Sequence, residues 1–285
     1  MFQKRRREHL LGYSRLMVSD HTPTVLTIAG FDPYGGAGIL IDTKTIHALN
    51  GYAVSATTAL TAQNSKGVSG VEAVSAKMLR LQLTTLLDDL KVDAVKIGML
   101  ANAALIKVVS EMIERYQLGN VVLDPVLVSS SGQILLEHNA IEMMVNDLFP
   151  LCTLVTPNLN ETNVLLRSEF KGTAKEVPQM AQGLLDLGVR NVLLKGGHTI
   201  EEKAVDHLVE DASITRFSTQ RVKTTHTHGT GCFLSSAIAT CLAQGESLTE
   251  SVKRSKEFLY TRLQQADSLQ LAYHTIDTNR KEPIF

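Results

Sequence analysis

The sequence has no CxxC pair: its three cysteines, Cys152, Cys232 and Cys241, are scattered and odd in number. That excludes a secreted disulfide framework and favours a reducing cytoplasm. An excess of either charge is also missing. A formal net charge of -1, with 20% charged and 44% hydrophobic residues, excludes a nucleic-acid binder held by bulk charge and describes an ordinary globular protein. No stretch approaches the roughly twenty uninterrupted apolar residues of a membrane span, so no membrane partner is expected. The glycine-rich loops lack both the Gly-Lys-Ser/Thr ending of a P-loop and the GxGxxG spacing of a dinucleotide site, so neither nucleotide fingerprint applies. Near the start, Lys4 to Arg7 form a basic run without the apolar core of a signal peptide. Residues 1–22 are expected to be a solvated basic tail, and 23–285 a single domain.

What is present is a rhythm. From Thr24 onward short β-branched runs alternate with longer amphipathic stretches, as βαβ units do when wound around a mostly parallel sheet. Strands are expected over 24–29, 53–60, 94–97, 120–123, 154–156 and 191–195. Alternating runs between Ala204 and Phe217, around Glu210-Asp211, predict a small antiparallel hairpin at the sheet edge. Two helices are expected after Gly231. Ligands of open parallel sheets bind beyond the carboxyl ends of the strands. Those ends collect Gly30-Phe31-Asp32-Pro33, Gln63-Asn64, Gly98-Met99, Asp124-Pro125, Thr156-Pro157-Asn158, Gly196-Gly197-His198 and Gly229-Thr230-Gly231-Cys232.

The segment Thr227 to Cys232 places glycines directly before a helix rich in small and apolar residues. Gly229, Thr230 and Gly231 can turn their N–H groups toward one point, and the helix N-terminus adds partial positive charge there. Phosphoryl transfer needs such donors, because negative charge spreads over the oxygens of the moving group. Cys232 lies in the first turn, where the helix dipole is expected to lower its thiol pKa and favour thiolate. It is then a general base for a substrate hydroxyl, or else a small core residue. Cys241, about half a turn out of phase, is assigned to packing.

Other positions carry two readings each. Asp42, one turn inside the helix that follows Gly30 to Gly38, binds a substrate hydroxyl or amine, or stabilises its helix. Asn158 and Glu161, three apart at a helix start, hold Mg²⁺, or form an N-cap with Glu at N3. Asp124 joins the metal or phosphate region, or forms a turn. Lys195 points at phosphate oxygens, or at solvent. The amide of Gln63 can donate one hydrogen bond and accept another in a plane, which matches the ring nitrogen and exocyclic amine of an aminopyrimidine. Met99 and Val126 are apolar plates for a flat ring, or core.

Taken in order, TIAGFDPYGGAG, ALTAQNSKGV, KIGML, VVLDPVLV, TPNLNE, LLKGGH and HGTGC resemble the hydroxymethylpyrimidine phosphate kinases, a branch of the ribokinase-like superfamily that also contains pyridoxal kinases. The resemblance runs from about Thr24 to about Ala266. It implies a ribokinase-like three-layer α/β/α sandwich that binds ATP and Mg²⁺. It puts Gly30, Asp42, Gln63, Met99 and Val126 around the pyrimidine. Asp124, Asn158, Glu161 and Lys195 belong with Mg-ATP, Thr230 and Gly231 with the nucleotide phosphates, and Cys232 at the base position. It further implies a cytoplasmic homodimer. The implied reaction is phosphorylation of 4-amino-5-hydroxymethyl-2-methylpyrimidine and its monophosphate. Pyridoxine phosphorylation and a non-catalytic pyrimidine-binding regulator are the rival readings. Phe31 and Tyr34 stand where the family usually has serines, Thr61 where valine is common, and Ser129 to Gly132 lack the usual lysine.

Overall fold

A computed structural model describes residues 21–127, 136, 138–196, 203–210, 213–224 and 227–266. The basic tail, apart from His21 and Thr22, therefore lies outside the described residues, as do Ser129 to Gly132, Gly197, His198 and Asp211. The elements are β1 (Thr24–Phe31), α1 (Gly38–Ala48), β2 (Tyr52–Asn64), β3 (Gly67–Ala73), α2 (Ala76–Leu87), β4 (Ala94–Ile97), α3 (Ala103–Arg115), β5 (Val121–Leu123) and α4 (His138–Met143). They continue with β6 (Leu154–Val155), α5 (Leu159–Leu166), α6 (Val177–Asp186), β7 (Val192–Leu194), β8 (Lys203–Glu210), β9 (Ser213–Gln220), α7 (Thr230–Ala243) and α8 (Leu248–Gln264).

One sheet runs in the order β3-β2-β1-β4-β5-β6-β7-β8-β9. From β2 to β7 the pairing is parallel, and β3, β8 and β9 are antiparallel. The central strands carry helices on both faces, which is why β5 and β7 are wholly apolar and β1 and β4 are apolar apart from two threonines and Lys96. One core, between the sheet and α2, α3, α4 and α6, gathers Leu79, Leu83, Leu105, Val109, Phe149 and Leu184. The other face packs α1, α7 and α8 over Val25, Ala94, Val122 and Leu193. Each such aliphatic side chain contributes about 1.5–3 kcal/mol when fully buried. The result is the three-layer α/β/α sandwich expected from the sequence.

The sequence reading needs correction at one edge. It ends the second strand at 60 and places Gln63 and Asn64 beyond it, whereas β2 extends through both. Past Leu60, which pairs with Phe31, β2 leaves its parallel neighbour and pairs with β3, with a bulge between Ala62 and Gln63. Both edges of the sheet are thus antiparallel, not one. β3 escaped notice because Gly67 and Gly70 dilute its alternation, as glycine does in strand interiors. The chain leaves β1 toward β2 on one side, while β4 lies on the other, so the crevice at the carboxyl ends of β1 and β4 is the topological switch point.

Candidate active site

Two glycine loops meet at that crevice. Gly229 caps α7 with φ +77, and a Cβ there would lie 1.7 Å from Gly36 O. Only a residue without a side chain lets the loop before α7 touch the loop after β1. The contact aligns the start of α7 with the ends of β4 and β5. An added Cβ on Gly231 would lie 3.1 Å from Asp124 Oδ2 and 3.3 Å from Lys195 Nζ, so the first turn of α7 opens directly onto that ion pair. The Thr230 hydroxyl donates to Thr227 O at 3.0 Å, holding its own loop.

Lys195 follows β7 and donates to Asp124 Oδ1 at 2.6 Å, with Glu161 Oε2 3.9 Å away. Asp124 also accepts from Thr156 Oγ1 at 3.3 Å. Burial depresses the ammonium, but the carboxylates of Asp124 and Glu161 outweigh it and hold Lys195 above its ordinary pKa. Asn158 and Glu161 form the capping box of α5, each side chain accepting from the other's backbone N–H, at 3.0 and 2.8 Å. The helix-cap reading is therefore realised, and it aims Glu161 at Lys195. Burial, followed by Asp124, pushes the Glu161 carboxyl up to about 7 despite Lys195. Among the described residues no group of three or more His, Cys, Asp or Glu gathers as a metal cluster. Two carboxylates sharing one lysine nevertheless fit Mg²⁺, which takes one or two carboxylates and completes its shell with water and phosphate oxygens. Behind Lys195 a cavity of about 360 Å³ is lined by Pro157, Asn158, Val177, Leu194 and Arg216, and its lining includes neither Cys232 nor Gln63.

The raised Glu161 pKa has a measurable consequence. An acid whose folded pKa lies above its unfolded 4.5 stabilises the fold fully below that value, and the contribution disappears as pH rises through about 7. In Glu161→Gln, whose amide still accepts the capping bond, the fall in unfolding free energy between pH 5 and pH 8 should shrink by about 1–3 kcal/mol. Urea unfolding of both proteins at the two pH values checks this, and an unchanged fall would contradict it.

Cys232 stands half-buried next to Gly231, with the Gly38 N–H directed at its sulfur. The expected thiolate is not what this site favours. Burial pushes the thiol up to about 11, with the negative charges of Asp42 and Asp124 adding to it, against the pull of Lys96 and the Gly38 N–H. Lys96 is a lysine in the middle of a buried strand. Its Nζ donates to Asp42 Oδ2 at 2.8 Å with both side chains fully buried. Asp42 also accepts from Thr27 Oγ1 at 2.6 Å and Ser236 Oγ at 2.7 Å. That corrects the reading of Asp42 as a direct substrate ligand: its carboxylate has no exposed surface, and it serves instead to hold Lys96 and α7 beneath Cys232. Cys241, with 0% exposure, is packed in the core as expected.

On the other side of the crevice a Cβ on Gly30 would lie 3.6 Å from Met99 Sδ, so these two are neighbours. Val126 is half-buried two residues past Asp124, where its N–H donates to Asp124 O. The Gln63 amide lies 3.1 Å from His228 Nε2 and 3.2 Å from Thr61 Oγ1. His228 Nε2 in turn lies 3.2 Å from Asp32 Oδ2. Sequence reasoning missed Lys96, His228 and Asp32 as site residues. Lys96 had a signal, a charge at an inward position of a strand otherwise apolar; His228 and Asp32 were quoted within their loops without a role.

Residues 32–277 match the model of a family described as phosphomethylpyrimidine kinase. The chain belongs to the phosphomethylpyrimidine kinase family. It is therefore a kinase, a phosphotransferase, and its sandwich is the ribokinase-like fold. A hydroxymethylpyrimidine/phosphomethylpyrimidine kinase of Escherichia coli K12 is 40% identical over 248 residues, which cover 87% of this chain and 93% of the relative. Its counterpart in Salmonella typhimurium LT2 is 42% identical over 246 residues, covering 86% and 92%. Among solved structures, phosphomethylpyrimidine kinase from Clostridium difficile 630 superposes with TM-score 0.74 at 37% identity, covering 84% of this chain and 99% of that one. Pyridoxal kinase from Staphylococcus aureus, in complex with AMP-PCP and pyridoxal, gives TM-score 0.81 at 27% identity, covering 91% and 96%. No helix among the described residues of this phosphomethylpyrimidine kinase family member is long and apolar enough to cross a membrane.

Proposed function

We propose that this kinase transfers the terminal phosphoryl group of ATP to 4-amino-5-hydroxymethyl-2-methylpyrimidine and then to its monophosphate, the pyrimidine branch of thiamin synthesis. The observation that carries the reading is the packing of the two loops through Gly36 and Gly229. It brings the loop after β1, where Gly30 neighbours Met99, against the start of α7 that carries Cys232. The Gln63 amide reads the aminopyrimidine edge, and Met99 and Val126 flank the ring.

The N–H groups of Gly231 and Cys232 receive the oxygens of the moving phosphoryl group, where their dipoles are already oriented. Lys195 supplies positive charge on the nucleotide side, set by Asp124 and Glu161. Mg²⁺, held by Asp124 and Glu161 directly or through water, would neutralise charge on the ATP phosphates. Cys232 takes the hydroxyl proton, and Lys96 offsets the negative charge left on its sulfur. Assembly as a homodimer is supported by the apolar side chains of Leu60 and Val71, exposed on the β2–β3 hairpin. A cytoplasmic setting is supported by three free thiols.

The likeness to pyridoxal kinases favours a second reading, phosphorylation of a pyridoxine-type ring through the same hydroxymethyl chemistry. The deciding experiment is ADP release with Mg-ATP, offering hydroxymethylpyrimidine, its monophosphate and pyridoxine at matched concentrations. The pyrimidines are expected to give the higher kcat/KM. Preference for pyridoxine would reassign the pocket, and no turnover on any of the three would overturn the kinase reading in favour of a binding protein.

A further inference from the structure

Gln63 sits among polar groups whose protons can be counted. Asp32 accepts the N–H of Tyr34 on Oδ1 and those of Gly36 and Ala37 on Oδ2, where it also meets His228. Burial works to raise this acid, but the His228 bond and the loop N–H groups outweigh it and hold the carboxyl below its ordinary pKa. A carboxylate only accepts, so His228 Nε2 carries a proton and donates to it. A ring nitrogen that donates has no lone pair to offer. Gln63 Nε2 stands 3.1 Å from it, donor against donor, and only the amide turned over, with Oε1 at that place, makes the bond. On the other side, Thr61 Oγ1 has one proton for two acceptors, Phe31 O at 3.1 Å and Gln63 Oε1 at 3.2 Å. With the amide turned over, the proton goes to Phe31 O and the hydroxyl oxygen accepts from the amide nitrogen. The two ends of a glutamine amide have nearly the same shape and are told apart by their partners. Here the His228 donor requires Oε1 on its side, and Thr61 accommodates Nε2 on the other.

We propose that Thr61 and His228 are positioning residues that lock the Gln63 amide in one orientation and so decide which way round the aminopyrimidine ring binds. The inference rests on the reading of Gln63 given above. With the amide so fixed, its oxygen accepts the exocyclic amine on the His228 side and its N–H meets the ring nitrogen on the Thr61 side. In a 4-amino-5-hydroxymethylpyrimidine the hydroxymethyl arm is on the carbon next to the one bearing the amine. The amine on the His228 side therefore sends the arm toward Gly229 and Cys232, where the phosphoryl group is delivered. The opposite amide orientation would turn the arm away.

Thr61→Val keeps the shape and removes the acceptor, while Thr61→Ser keeps the hydroxyl. In the full enzyme, Thr61→Val should lower kcat/KM for hydroxymethylpyrimidine about three- to tenfold, the scale of one hydrogen bond. The loss should be smaller for the analogue lacking the 4-amino group, and Thr61→Ser should restore most of it. In a Gln63→Ala background Thr61→Val should have no further effect. An equal loss on both substrates, or the same loss with Gln63 already gone, would show that Thr61 acts only through the loop and would overturn the lock. If Gln63→Ala by itself leaves pyrimidine kcat/KM unchanged, the reading of Gln63 fails and the proposal falls with it. If Gln63→Ala is damaging while Thr61→Val is silent, the lock alone fails.

Discussion

Cys232→Ala should lower kcat about 10²- to 10⁴-fold, the range for loss of a general base, while KM for Mg-ATP stays within about threefold. The nucleotide side proposed above consists of Lys195, Asp124 and Glu161, none of which depends on the sulfur for its hydrogen bonds. Removing the thiol therefore touches the proton path and leaves the phosphate contacts in place. The high thiol pKa adds a direction. A group pushed up to about 11 is mostly protonated near neutrality, and only the thiolate can accept the hydroxyl proton. In the parent enzyme kcat should rise with pH above neutrality as the thiolate fraction grows, and in Cys232→Ala that rise should vanish. Steady-state kinetics across pH on both proteins measure the two effects together. Unchanged turnover in the variant would remove Cys232 from the proton path and leave the N–H groups of α7 as the main catalytic feature. A large fall in kcat with the pH dependence intact would assign the titration to another group.

Why the position of Cys232 at a helix start could be read from sequence while the partner of Lys96 could not is a matter of where each signal lies. The glycines before α7 announce a helix start with free N–H groups, and the next residue on from Gly231 is placed by local geometry alone. The same is true of Asn158 and Glu161, whose spacing specifies a capping box without reference to any other part of the chain. The pairing of Lys96 with Asp42 is different. It joins residues 54 positions apart and depends on α1 and β4 facing each other across the sheet, which periodicity does not encode. Read locally, Asp42 was an acid near a substrate loop, and only the packed layers show its carboxylate turned to Lys96, Thr27 and Ser236. The extension of β2 was lost for a related reason. Its last residues gain their partners from β3, whose glycines and exposure leave almost no strand signature. The helical layers and the parallel core were legible because each buried strand is an apolar run that needs no distant information.

The start of α7 offers the sharpest test of how the glycines divide their work, since Gly229→Ala and Gly231→Ala should fail in different ways. At Gly229 a methyl group would meet Gly36 O at 1.7 Å from a backbone already at φ +77, so both the conformation and the contact between loops are lost. That variant should lose activity and melt at lower temperature, because the loop after β1 has to move. At Gly231 the backbone is helical and α7 continues past it, so alanine gains the helix propensity that glycine lacks, about 1 kcal/mol. Its methyl group, however, would press on Asp124 Oδ2 at 3.1 Å and Lys195 Nζ at 3.3 Å. Those two cannot easily retreat, since Lys195 grips Asp124 at 2.6 Å and Thr156 holds the same carboxylate. Gly231→Ala should therefore keep or raise the melting temperature while kcat falls about 10²- to 10³-fold, the loss seen when one donor to a transition-state oxygen is displaced. Thermal melts and kcat on the two variants separate the cases. If Gly231→Ala is as active as the parent, the space between α7 and the Asp124–Lys195 pair is not where the phosphoryl group passes.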